Sequence, residues 1–111
     1  MTQLTINELR EKINTGENFV LDLYATWCGP CRMMLANLEV VSEDLKSKSI
    51  STYKLDIDSG DDSDRDYIIN QLGVRSVPTI KMFKEGKQVF SKAGVMSTNE
   101  VLNQVNSVIY G

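Results

Sequence analysis

The chain has 111 residues, 41% of them apolar and 24% charged, with a formal charge of -3 from 15 acids and 12 bases. That length suits one domain over residues 1–111 with a core that needs no staples, and the mild acidity gives no electrostatic footprint for nucleic acid or an anionic membrane. Histidine is absent and cysteine occurs twice, which removes the commonest general base and metal ligand and leaves two thiols to explain.

Met1 to Glu11 is polar and mixed in charge, unlike a secretory signal, so a cytoplasmic protein is expected. Thr5-Ile6-Asn7-Glu8 has the form of a capping box. Ile6, Leu9, Arg10 and Ile13 then recur at helical spacing until Gly16. The stretch Gln3-Leu4 before it is too brief to establish a further strand. Phe19 to Ala25 is a nearly continuous apolar segment of strand length, suited to a strand covered on both faces. Its run Phe19-Val20-Leu21 ends at Asp22, far too short to span a membrane.

After Cys31 the apolar positions Met34, Leu35, Leu38, Val41 and Leu45 predict the longest helix, ending among Lys46, Ser47 and Lys48. Ile50 to Ile57 reads as a second covered strand. The acidic stretch Asp58 to Asp66 reads as a loop leading into a helix over Tyr67 to Leu72. Val77 to Phe83 and Gln88 to Ser91 predict two strands joined by a turn at Glu85-Gly86. Ser97-Thr98-Asn99-Glu100 forms another capping box, opening a helix on Val101, Leu102, Val105, Val108 and Ile109. Met33, Met34 and Met82 are expected in the core. The order describes an α/β domain: a mixed sheet with helices on both faces.

Cys28 and Cys31 stand three apart, between a strand and the start of the long helix. Bridging them closes a tiny loop and contributes little stability, so a staple is a poor explanation. Disulfide exchange needs a thiolate, and unpaired amides at a helix N-terminus favour one. Cys28 sits just before the first turn, where that effect is greatest. Pro30 falls where its missing amide is harmless. Cys31 lies inside the helix, within reach of a mixed disulfide on Cys28.

Trp27-Cys28-Gly29-Pro30-Cys31 resembles the active-site sequence of the thioredoxin family, and the resemblance extends along nearly the whole chain. Asp22, five residues before Trp27, matches the family's buried acid, and Lys54 matches the lysine beside it. Val77-Pro78-Thr79 matches the cis-proline loop, while Gly86 and Gly94 match later glycines. The resemblance implies the thioredoxin fold, a central mixed β-sheet of four to five strands flanked by helices on both faces. It also implies a protein-disulfide reductase in which Cys28 attacks, Cys31 resolves and Asp22 takes up a proton under the influence of Lys54. Substrate would dock on Trp27, Gly29, Pro30, Val77, Pro78, Gly94 and Val95, with the Val77 backbone pairing an extended substrate strand. No cofactor would bind the chain, which would be recharged by a thioredoxin reductase using FAD and NADPH. Its partners would be that reductase and disulfide-containing proteins, and the chain would be a monomer.

Other readings are weaker. A thioredoxin-like domain serving only as a binding module would not need an intact dithiol, and an oxidant or isomerase would usually carry another dipeptide than Gly-Pro. Six of the eight aspartates fall between Asp56 and Asp66, but the stretch lacks the glycine and terminal glutamate of a calcium loop. Two cysteines without histidine cannot fill a zinc site within one chain. The sequence departs from the family where Leu35-Ala36-Asn37 replaces a helix-kinking proline, and where Asp58 to Gly73 runs longer than usual.

Overall fold

A computed structural model describes residues 1–110. Its elements are β1 (Thr2–Gln3), α1 (Ile6–Asn14), β2 (Phe19–Tyr24), α2 (Gly29–Ser47), β3 (Ser51–Asp56), α3 (Asp62–Asp66), β4 (Thr79–Lys84), β5 (Lys87–Ala93) and α4 (Thr98–Val108). A single π-helical turn, Tyr67–Gln71, continues α3.

The five strands form one mixed sheet in the order β1-β3-β2-β4-β5. The pairs β1–β3 and β3–β2 are parallel; β2–β4 and β4–β5 are antiparallel. β2 is therefore central, and every one of its six residues is buried. Its side chains alternate between two cores, because successive residues of a strand point to opposite faces. Val20 packs with Met34, Leu38, Val41 and Leu45 of α2 and with Val101 and Val105 of α4. Phe19, Leu21 and Leu23 pack on the other face with Leu9 of α1, Leu55 and Ile68. The Phe19 ring stacks on Phe83 with centroids 4.4 Å apart.

Helix starts follow the capping chemistry of the sequence. The Thr5 hydroxyl accepts from the Glu8 amide at 3.2 Å, and the Glu8 carboxylate accepts from the Thr5 amide at 2.9 Å. Ser97 and Glu100 repeat the exchange at α4. Gly86 closes the β4–β5 hairpin at φ 77°, against the Ile13 carbonyl, where a side chain would collide with backbone.

Three sequence-based expectations are corrected. The acidic stretch is not a loop throughout: Asp61 caps Asp62–Asp66, its carboxylate accepting from the Asp64 amide at 3.0 Å while Asp64 reciprocates. Aspartate fills both positions of this capping box, in place of the usual Ser/Thr and Glu. The strand expected from Val77 starts at Thr79, since Pro78 has no amide to give a ladder. Met33 is 61% exposed, because the buried stripe of α2 runs through Met34, Leu38, Val41 and Leu45, one residue around the helix. Met34 and Met82 are buried as expected. α2 runs unbroken for 19 residues through Leu35-Ala36-Asn37.

Candidate active site

The chain leaves the sheet at the C-terminal end of the central strand β2, and Tyr24 and Ala25 pack there with Cys28 and Cys31. The turn between them is closed by the Cys28 amide donating to the Ala25 carbonyl at 3.2 Å. Cys28 is the N-cap of α2, in extended conformation. Its Sγ accepts from the Cys31 amide at 3.2 Å, taking the place a serine or aspartate oxygen would occupy in an ordinary cap. Pro30 lies in the first turn of α2. The two cysteines are joined as a disulfide, with Cα atoms 5.3 Å apart. Cys31 is 1% exposed and Cys28 5%. The two sulfurs thus differ in position: Cys28 caps the helix, and Cys31 is enclosed by it.

Asp22 lies on the sheet face covered by α2, between Val20 and Tyr24 in the alternation of β2. It is fully buried, and neither carboxylate oxygen has a hydrogen-bond partner. Burial pushes its pKa from 3.8 up to about 7, with the positive charge of Lys54 pulling in the opposite direction. Lys54 is its register partner on β3. The lysine is half-buried, with Nζ 5.9 Å from the centre of the Tyr24 ring.

The rim of the site is apolar. Trp27 is 71% exposed, and its Nε1–H donates to Asp58 Oδ2 at 2.8 Å, which fixes the indole over the start of the acidic segment. Gly29 and Pro30 are exposed beside it. The Val77 carbonyl oxygen lies 3.7 Å from Cys28 Sγ, and the Val77–Pro78 peptide bond is cis. The Gly94 amide donates to the Pro78 carbonyl at 2.8 Å. Gly94 has φ 98°, a backbone conformation that favours glycine, and it and Val95 are half-buried. A groove of about 300 Å³ runs from Trp27 and Val77 between Ile57, Ile68 and Val74. Trp27, Gly29, Pro30, Val77, Pro78, Gly94 and Val95 therefore lie on three neighbouring segments around the disulfide.

Sequence reasoning missed two features of this neighbourhood. Asp58, read as part of a solvated loop, holds the indole. Asn37, noted only as standing where a proline was expected, donates from Nδ2 to the Met96 carbonyl at 2.9 Å. No sequence signal marks either contact, since both join residues distant in the chain. Among the described residues no group of three or more histidine, cysteine or acidic side chains could hold a metal ion. Among the described residues no helix is long and apolar enough to cross a membrane.

Comparison with known proteins agrees with this geometry. The thioredoxin family model matches residues 1–107. Thioredoxin from Rickettsia felis is 33% identical over 100 residues, covering 90% of each chain. Thioredoxin from Mycoplasmoides gallisepticum is 33% identical over 94 residues, covering 85% of this chain and 87% of its own. A crystal structure of chloroplastic thioredoxin z superposes with a TM-score of 0.83 at 24% identity, covering 100% of this chain and 96% of that one; it shows the shared fold.

Proposed function

The chain belongs to the thioredoxin family and is a thiol–disulfide oxidoreductase that reduces protein disulfides through Cys28-Gly29-Pro30-Cys31, and on that premise we propose a role for each residue of the site. The reduced form starts the cycle. The Cys28 thiolate attacks one sulfur of a substrate disulfide; the substrate S–S bond breaks, a mixed disulfide forms, and the departing substrate thiolate takes a proton from solvent. Cys31 then gives its proton to the Asp22 carboxylate and attacks Cys28 Sγ. That step releases the second substrate thiolate and leaves Cys28 and Cys31 joined as a disulfide. Two electrons have passed to the substrate.

One observation carries the assignment of the nucleophile: Cys28 Sγ already accepts a hydrogen bond from the first turn of α2. An amide and the positive end of a helix stabilise a thiolate at that sulfur more than at Cys31. Asp22 suits the proton step because it is buried on the α2 side of β2 and has an ionisation near neutrality, where a general base is most useful. Lys54 limits how far that ionisation rises.

Trp27, Gly29, Pro30, Val77, Pro78, Gly94 and Val95 form the docking rim, with the Val77 backbone pairing an extended chain beside the disulfide. The oxidised protein is recharged by a flavin- and NADPH-dependent reductase, and a thioredoxin itself carries no cofactor. Such a reductant acts in a reducing compartment, the cytoplasm, as a monomer. Insulin reduction driven by dithiothreitol tests the reading: the wild type accelerates it and Cys28→Ser does not. Equal rates for the two proteins would assign the chain to binding rather than catalysis.

A further inference from the structure

The segment between β5 and α4 is held to the rest of the site at both ends. Gly94 donates its amide to the Pro78 carbonyl at 2.8 Å, and Val77, before that proline, places its carbonyl oxygen 3.7 Å from Cys28 Sγ. At the other end, both backbone polar groups of Met96 are taken by α2. The Met96 amide donates to Met34 Sδ at 3.1 Å, and its carbonyl accepts from Asn37 Nδ2 at 2.9 Å. Met34 and Asn37 are three apart and so share one side of the helix that begins at Cys28 and carries Cys31. A closed circuit results, from Cys28 through Val77, Pro78, Gly94 and Met96 back to α2.

Packing and helix propensity alone do not call for these two side chains. A thioether is a weak acceptor, and leucine would fill the fully buried Met34 site as well. Asparagine is among the poorer residues for a helix interior. What they supply is satisfaction of a backbone N–H and C=O at Met96, which is 2% exposed and could not turn to water without leaving the core.

We propose that Asn37 and Met34 are positioning residues that fix the Gly94–Met96 loop at the depth where it receives the substrate chain, so that α2 sets both the dithiol and its docking rim. The proposal rests on reading Gly94 and Val95 as part of that rim. Neither side chain acts on sulfur, and the cap between Cys28 Sγ and the Cys31 amide does not depend on them.

The test separates docking from sulfur chemistry. Asn37→Leu keeps the branched outline of the side chain and removes the donor; Met34→Leu removes the acceptor. Insulin reports on docking, and dithionitrobenzoate, a small aromatic disulfide, reports on the dithiol. Asn37→Leu is expected to raise KM for insulin about three- to tenfold, the range of one lost hydrogen bond, with kcat little changed. Reaction of the reduced variant with dithionitrobenzoate stays at the wild-type rate, and hydrogen exchange at the Met96 amide quickens in Met34→Leu. An unchanged insulin KM in Asn37→Leu overturns the proposal. So does an equal loss toward both disulfides, which would mark a general structural role. A wild type unable to reduce insulin would remove the underlying functional reading, a result distinct from a working wild type with an unaffected variant.

Discussion

Asp22 and Lys54 are register partners across the parallel β2–β3 pair, yet both Asp22 oxygens lack a hydrogen-bond partner. The lysine lowers the cost of charging the carboxylate without cancelling the burial that raises it. A protein selected for stability alone would place an apolar residue here, as every other residue of β2 is apolar. Burial of Asp22 therefore costs stability whenever its carboxyl is charged.

Asp22→Asn is expected to stabilise the fold at alkaline pH. In the folded state the acid holds its proton up to about 7, whereas unfolded it ionises near 3.8, so wild-type stability falls as pH rises between those values and is flat above. At ~1.4 kcal/mol per pH unit the gain has an upper bound of about 4 kcal/mol at pH 8 and vanishes near pH 4. Denaturant melts at the two pH values measure it. The same variant is expected to lose on the order of 10- to 100-fold in insulin reduction at pH 7, because Cys31 has lost its proton acceptor. Unchanged turnover would remove Asp22 from the mechanism.

Lys54→Met is expected to move the Asp22 titration further upward. The lysine's charge is what lowers it, so deleting that charge shifts the midpoint further above about 7. The carboxyl carbon resonance of Asp22 followed against pH reads the shift directly. A midpoint that moved down or stayed put would leave Lys54 with a solvation role only.

Phe19→Ala is expected to cost about 3–5 kcal/mol, by lost burial and an unfilled cavity against Phe83 and Tyr53. Phe19 is fully buried at the start of the central strand, on the face opposite Asp22 and α2. The variant should keep wild-type sulfur reactivity at temperatures where it remains folded. A loss below about 1 kcal/mol would show that the face relaxes to fill the space.

Much of this fold is legible in the residues because local signals and long-range packing agree. Thr5–Glu8 and Ser97–Glu100 cap the helices they announce, and the apolar stripe from Met34 to Leu45 is the face that meets the sheet. The site is legible for the same reason: Cys28 and Cys31 lie in one turn of chain, so spacing alone places both sulfurs at the helix start. The unread parts involve distance in sequence or an unusual residue in a familiar role. The Asp61–Asp64 cap uses two aspartates where serine or threonine with glutamate is the usual signature. Trp27–Asp58 and Asn37–Met96 join positions 31 and 59 residues apart, and hydrophobic periodicity carries no information about such pairs. Met33 shows the remaining difficulty, since an apolar residue beside a buried stripe reads as buried until the helix is turned through one residue.

Disulfide exchange at this site turns on Cys28 Sγ being stabilised as a thiolate by the end of α2. Alkylation of the reduced protein with iodoacetamide, followed against pH and mapped by mass spectrometry, measures that property residue by residue. We expect Cys28 to react with a midpoint clearly below the value near 8.5 of a free cysteine, and Cys31 to lag behind it, enclosed and slow. Two sulfurs titrating alike at the free-cysteine value would contradict the account.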